Sequence, residues 1–213
     1  MAVSYLTPDA PILPYAIGLD AEIQKLQLKL IERLNWLQVS YGKAYRHSEV
    51  RDSKKVYLPK VYDGGGEYRD VLPNDNVVSQ SFFLSKDPIS VPGSEPAIGS
   101  VPLTQSLDYI FWGNLTLIDE SKPYRFEAEL LREVLEVFNS QGVLVQRIYT
   151  TPEEVFRGFT VEMIKDKVLQ HPYVGFRIQI DVNISNALCT VPPPSDKENL
   201  LALRRGGFLR LRS

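Results

Sequence analysis

The side chains best suited to metal binding or nucleophilic catalysis are few in this sequence. It contains two histidines, His47 and His171, and one cysteine, Cys189, which lie far apart along the chain. A zinc site needs several such residues at short ligand spacing, and a hydrolase-type nucleophile needs a Gly-x-Ser-x-Gly turn, which is missing here. We therefore expect no catalytic residue, no metal site and no cofactor, with Cys189 a buried or inert thiol.

A glycine-rich loop at residues 63–67 reads Asp-Gly-Gly-Gly-Glu and superficially resembles a phosphate-binding loop. It lacks the Lys-Ser or Lys-Thr ending of a P-loop, and no strong helix pattern follows it. We interpret it as a flexible turn between strands, with a mobile tip at an assembly interface as the alternative.

Four glutamates, Glu127, Glu129, Glu133 and Glu136, recur along one predicted helix. Paired carboxylates can serve acid–base catalysis, but this spacing is typical of a solvated helix face. If the face lined a channel, its negative charge would repel DNA and let it slide.

The most suggestive segment is residues 204–213, which carry four arginines and no acid, with apolar residues between them. One interpretation is an unconstrained basic terminus. The alternative is a tail that docks on a partner, because its apolar side chains would gain nothing in solvent. Such a tail could add a strand to a neighbour's sheet edge. The predicted interface residues are Arg204, Arg205, Phe208, Leu209, Arg210, Leu211 and Arg212.

The composition is that of an ordinary globular protein, with 44% hydrophobic and 23% charged residues in 213. The net charge of -2 argues against a dedicated nucleic-acid binder, which needs clustered Lys and Arg. A single cysteine indicates assembly in a reducing compartment, with the cytoplasm as the default. We expect neither a signal peptide nor a membrane span.

Prolines divide the chain into a core and extended segments. Ten of the fifteen fall near the start, between residues 88 and 102, or at Pro192–Pro194, and proline cannot occupy a helix interior or a central strand. The sequence therefore predicts an N-terminal arm at 1–18, a core at 19–186 with a long loop or arm at 85–105, and a C-terminal arm with a basic end at 187–213.

Apolar residues recur at steps of three and four in Leu19–Leu37 and Phe126–Phe138, which predicts two amphipathic helices. A third helical region begins at Thr151-Pro152-Glu153-Glu154, a capping box with proline at the first helical position, and is expected to reach Gln170 with a break at Gly158.

Strict alternation predicts a strand over Val174–Ser185 with one buried and one polar face. A second long strand is predicted over Leu107–Asp119, where one face is apolar and the other partly apolar, so that we expect cover on both faces. Shorter strands are predicted at 40–47, 55–62, 77–84 and 143–149. The expected fold class is α+β, a mostly antiparallel sheet with long strands packed against two or three helices, plus extended proline-rich arms.

This order of elements over residues 19–185 resembles that of tail-terminator and neck-ring subunits of tailed bacteriophages. The stretch Leu169–Ile178 is similar to the final strand region of that group. The resemblance implies a structural subunit of a virion ring joining capsid portal and tail, a homo-oligomer of six- or twelve-fold symmetry that forms part of the DNA channel. A heterologous contact that closes by rotation makes such a ring possible.

The resemblance also implies partners: other neck, portal or tail proteins, and DNA in transient, non-specific passage, but no membrane. The virion would be the final location, after assembly in the host bacterial cytoplasm. The long arms favour a neck-ring protein of a large, crAss-like phage. Two alternatives stay open, a small adaptor domain that binds a partner through its C-terminal tail, and an enzyme with a perturbed carboxylate near His47 or His171.

Overall fold

A seven-stranded sheet organises the computed structural model, which describes residues 9–62, 66–73, 76–90, 103–161 and 169–184. The strand order across the sheet is β3-β2-β1-β4-β5-β7-β6. Along the chain the elements are α1 Gly18–Arg33, β1 Val39–Arg51, β2 Lys54–Tyr62, β3 Tyr68–Asp70, β4 Ser79–Ser90, β5 Leu103–Asn114, α2 Leu115–Ile118, α3 Glu127–Ser140, β6 Leu144–Tyr149, α4 Pro152–Val155 and β7 Tyr173–Ile184.

The sheet is antiparallel at every strand pair except β1 and β4, which run parallel. The predicted fold class, α+β with a mostly antiparallel sheet of long strands packed against helices, is confirmed. Four helices are present among the described residues, but α2 and α4 are single turns, so α1 and α3 supply the helical layer.

The helical layer covers one face of the sheet. Helix α1 buries Ile23, Leu26 and Leu30 against the side chains of β4, β5 and β7, as its three-and-four spacing predicts. Helix α3 lies beside it, and the Trp36 indole N–H donates to Glu133 at 2.7 Å just beyond the end of α1. This hydrogen bond joins the two helical segments above the core.

The opposite face of the sheet holds a second core. Phe82, Ile110 and Trp112 point to this side, where α4 and the segment after it contribute Val155 and Phe159. Strand β5 is therefore covered on both faces, as predicted. A strand buried on both faces has few exposed positions, and most residues of β5 are buried.

Two predicted elements end earlier than expected, because the apolar pattern continues into the following loop. Helix α1 ends at Arg33. Leu34 and Leu37 are buried as the pattern predicts, but they lie in the loop that follows the helix. Strand β5 ends at Asn114, whose side chain accepts a hydrogen bond from the backbone N–H of Leu117 and so caps the short helix α2.

The third helical region is also shorter than predicted. Among the described residues of the predicted region 151–170, only Pro152–Val155 form an α-helix, and the Thr151 side chain makes no capping hydrogen bond. Gly158 adopts a φ of +94°, which is not helical, at the position where the sequence predicted a break. Residues 162–168 of the predicted helix lie outside the described part.

The segment at 85–105 is not a loop at its ends. Strand β4 continues to Ser90 and β5 begins at Leu103, so the pairs Ile89–Gln105 and Ser90–Thr104 extend the ladder. The register shifts between Ser85 and Ile89, around Pro88, which has no backbone N–H to donate. A bulge therefore accommodates the proline that had predicted a loop, and residues 91–102 lie outside the described part.

The shorter strands are confirmed in position, and several are longer than predicted. Strand β1 reaches Arg51 and β4 reaches Ser90, while β3 has only three residues and carries too little pattern to be predicted from the sequence.

Candidate assembly surfaces

Strands β1 and β2 form an antiparallel hairpin near one edge of the sheet. Its strands pair without interruption from Ala44–Val61 to Arg51–Lys54. The two turn residues, Asp52 and Ser53, have φ values of +49° and +62°, as required by the tight turn that matches strand twist. Near the tip Val50 is 74% exposed, whereas Val56 and Leu58 of β2 are 7% and 0% exposed and belong to the second core. Only the tip of the hairpin therefore lacks cover from the domain.

Cations dominate one face of this hairpin. The Arg46 guanidinium lies 3.8 Å from the centroid of the Tyr57 ring, and the Lys55 ammonium lies 5.4 Å from the same centroid. On the other face Glu49 pairs with Arg51 and with Lys60 at 3.3 Å. Burial tends to raise the pKa of Glu49, but the hydrogen bonds from Lys60 and Arg51 outweigh it and lower the pKa.

Within the ranges that the structure describes, strand β6 forms one edge of the sheet and pairs with β7 alone. Its apolar residues Leu144 and Ile148 are 60% and 40% exposed. An outer edge of this kind presents unpaired backbone N–H and C=O groups to the surroundings. It is therefore the part of the described sheet best suited to accept a further strand.

The glutamates of α3 are engaged within the chain. Glu129 pairs with Lys122, Glu127 with Arg125 at 2.8 Å, and Glu136 with Arg132 at 3.6 Å, and Glu133 binds Trp36 as described above. The hydrogen bond from Lys122 lowers the pKa of Glu129 and raises that of the lysine. The helix face thus carries much less uncompensated negative charge than its sequence indicates.

A cleft of about 230 Å³ lies between α1, β1 and the outer strands β2 and β3. We call it the tyrosine cleft, because Tyr45, Tyr62 and Tyr68 line it together with Lys43 and Asp20. Burial raises the pKa of Tyr45, and the nearby carboxylate of Asp20 adds to the effect. The rings are partly exposed and form a concave aromatic surface.

The chain before α1 forms the rim of this cleft. Asp9 makes a parallel bridge to Val39, at the part of the β1 edge that β2 does not reach. Farther along, the Gln24 side chain accepts from the backbone N–H of Leu13 at 3.2 Å, and the Gln27 amide donates to the carbonyl of Pro11 at 3.2 Å. Residues 9–13 of the predicted N-terminal arm thus lie against their own domain.

A buried ionic cluster occupies the second core face, where the sequence predicted a polar, solvent-facing side of β7. Arg177 donates to Asp108 of β5, and Lys86 pairs with the same carboxylate at 2.8 Å. The other Arg177 terminal nitrogen donates to the carbonyls of Glu154 and Arg157 at 3.2 and 3.1 Å. The predicted polar face is therefore buried at Arg177, and this cluster was missed because its members are distant in sequence.

The predicted functional residues fall in different places. His47 is exposed on the hairpin and His171 is exposed before β7, whereas Cys189 and residues 63–65 of the glycine-rich loop lie outside the described part. The same holds for the predicted interface residues Arg204, Arg205, Phe208, Leu209, Arg210, Leu211 and Arg212.

The described residues include no cluster of three or more His, Cys, Asp or Glu that could hold a metal ion. Within the same ranges no helix is long and apolar enough to cross a bilayer. The carboxyl groups with displaced pKa values, Glu32, Glu49, Asp119 and Glu129, all have them lowered by neighbouring cations or hydroxyl groups. These shifts favour carboxylates held in ion pairs and hydrogen bonds and give no support to a general acid.

No protein-family model matches this sequence, and no curated protein matches it either.

Proposed function

We propose that this chain is a structural subunit of a ring in the head-to-tail connector or tail-terminator region of a tailed-bacteriophage virion, where it joins the capsid portal to the tail. The subunits assemble by exchanging extended segments, and the closed ring forms part of the DNA channel. The observation that carries the proposal is the open outer edge of β6 with its exposed Leu144 and Ile148.

An open edge favours assembly because an added strand satisfies backbone groups and covers apolar side chains at the same time. Residues 209–212, Leu-Arg-Leu-Arg, provide the alternation that such a strand requires. Arginines on its outer face would find acceptors beside β6, since the Glu136–Arg132 pair on α3 is about 70% exposed at both side chains. A surface pair of this kind is worth little and exchanges partners easily.

The hairpin supports the same proposal by its shape. Its exposed tip, around Val50 and the turn at Asp52 and Ser53, has the form of a contact element between subunits or between stacked rings. Its cationic face, with Arg46 and Lys55 around Tyr57, offers charge complementarity to an anionic neighbour or to passing DNA.

The experiment is to measure particle mass by light scattering for the wild type and for the double variant Leu144→Lys with Ile148→Lys. Lysines on an edge strand oppose strand addition, so the variant is expected to lose the ring mass of the wild type. The control is Leu28→Lys with Leu117→Lys, which changes two similarly exposed leucines on α1 and α2. Equal ring formation by both double variants would contradict assembly through β6.

The adaptor alternative predicts a different result in the same experiment. A monomeric adaptor would show one subunit mass for all variants at every concentration, and would gain mass only with its partner.

A further inference from the structure

We infer that the tyrosine cleft binds the proline run Pro192–Pro194 of a second copy of this chain. The inference rests on the proposed function, because it names a contact by which neighbouring ring subunits exchange segments. Three observations support it: the arrangement of the tyrosine rings, the position of the proline run in the sequence, and the length of chain before that run.

The three tyrosine rings form an aromatic surface in which neighbouring rings are tilted relative to each other. The centroids of Tyr45 and Tyr68 lie 6.0 Å apart with the rings at 83°, and those of Tyr62 and Tyr68 lie 5.4 Å apart at 50°. Tyr45 and Tyr68 are 42% and 55% exposed. Grooves lined by aromatic rings bind polyproline helices, because the proline rings pack on the ring faces while the tyrosine hydroxyls stay hydrated.

The proline run is the segment of this sequence that best suits such a groove. Pro192, Pro193 and Pro194 are consecutive, whereas no two of the other prolines are adjacent. Three residues make one full turn of a polyproline helix. Because each ring already fixes φ, the segment loses little conformational entropy when it binds.

Charge complementarity indicates which residues flank the run in the cleft. The Lys43 ammonium lies 5.2 Å from the centroid of Tyr45 and makes no salt bridge with any residue that the structure describes. Asp196 follows the proline run by two residues. With the run seated on the tyrosines, this carboxylate would come within range of Lys43 and help to fix the register.

Chain length favours a second copy over the same one. Strand β7 ends at Ile184, which pairs with Leu103, while Tyr62 lies four strands away and nearer the opposite end of the sheet. With strands about 4.8 Å apart and a rise of about 3.3 Å per residue, the straight distance is roughly 28 Å. Residues 185–192 span at most about 28 Å when fully extended, which leaves no length for passing around the domain.

Disulfide trapping tests this contact in the full chain. Cys189 is the single natural cysteine and lies three residues before the proline run, so one added cysteine gives one possible mixed pair. The test variant is Asp20→Cys in the cleft, oxidised briefly with copper phenanthroline. The control is Leu117→Cys on α2, a position that is 52% exposed and whose thiol is therefore readily accessible.

We expect Asp20→Cys to form covalent links between copies at least tenfold faster than Leu117→Cys. Replacing Pro192, Pro193 and Pro194 by alanine in the Asp20→Cys background should reduce the rate to that of the control, and Tyr68→Leu should also slow it. Equal rates in the two cysteine variants, or an unchanged rate without the prolines, would overturn the inference. So would a disulfide formed within one chain, seen as a faster-migrating monomer.

Light scattering of the unoxidised proteins separates this inference from the proposed function. A ring that forms normally but shows no preferential trapping means that subunits assemble without this contact, which overturns the inference alone. A chain that is monomeric under all conditions contradicts the ring itself.

Discussion

The Asp108 carboxylate and the Arg177 guanidinium form a salt bridge between the neighbouring strands β5 and β7, with side chains 0% and 5% exposed. Arg177 also binds two backbone carbonyls, so the pair ties the sheet to the segment that follows α4. Buried ion pairs of this kind stabilise little relative to apolar replacements, but they are costly to break. The main effect of the cluster is therefore to fix the position of α4 and the segment after it over the second core.

Removing one partner of this pair should destabilise the fold strongly. We expect Asp108→Leu to lower the free energy of unfolding by about 3–5 kcal/mol, because Arg177 is left charged and buried. The double variant Asp108→Leu with Arg177→Met should recover much of that loss. Urea unfolding measures both, and a double variant less stable than either single one would contradict this account.

Lys86 provides the matched control, since its side chain is 26% exposed where it pairs with Asp108. Lys86→Met should cost less than about 1 kcal/mol, because water already screens this charge.

Tyr109 should limit stability at high pH. Its side chain is fully buried, and burial raises its pKa despite the nearby Ser81 hydroxyl. The unfolded chain ionises this phenol near pH 10 while the folded chain keeps it protonated, so stability falls as the pH rises above about 10. Tyr109→Phe should raise the midpoint of alkaline unfolding, followed by circular dichroism, whereas Tyr15→Phe, at a 97% exposed position, should leave it unchanged.

The Lys122–Glu129 pair should be visible in an acid titration. The hydrogen bond from Lys122 lowers the pKa of Glu129, so the stabilising contact is present above the ordinary glutamate pKa and is lost as the pH falls through the lowered value. An NMR titration should place the Glu129 midpoint below that of an unpaired glutamate, and Lys122→Gln should raise it. A midpoint that does not respond to Lys122→Gln would rule out this pairing in solution.

Gly175 should tolerate no side chain. A Cβ at this position would lie 2.8 Å from the backbone oxygen of Phe111 and 2.7 Å from a Leu169 methyl. Because the backbone of β5 cannot move aside, we expect Gly175→Ala to cost about 1–3 kcal/mol. Gly113→Ala meets only side-chain atoms, the nearest at 2.9 Å, and should cost less. The reverse order in thermal unfolding would contradict this packing.

The sequence predicts an element well where its apolar residues follow a single period. The alternation in β7 and the three-and-four spacing in α1 and α3 place these elements within a few residues, because a buried face must match the period of its element. Their ends are harder to predict, since Leu34 and Leu37 enter the core from a loop and continue the helical pattern. Pro88 predicted a loop, but a register shift keeps its segment in the sheet.

The candidate surfaces are less accessible to sequence reasoning because they depend on residues that only the fold brings together. Asp108 and Arg177 are far apart in sequence, and the polar alternation of β7 indicated solvent where there is a buried pair. The tyrosine cleft combines residues of α1, β1, β2 and β3, none of which carries a motif.

The central claim, that this chain is a ring-forming virion subunit, is tested most directly by its mass in solution. Light scattering would compare the full chain with one cut after Asn186, each alone and after mixing with extracts of virion particles, with unfolding curves to verify that the shortened chain is folded. We expect a defined ring for the full chain, formed alone or on mixing, that is lost on truncation. A folded full chain that stays monomeric in every mixture would contradict it.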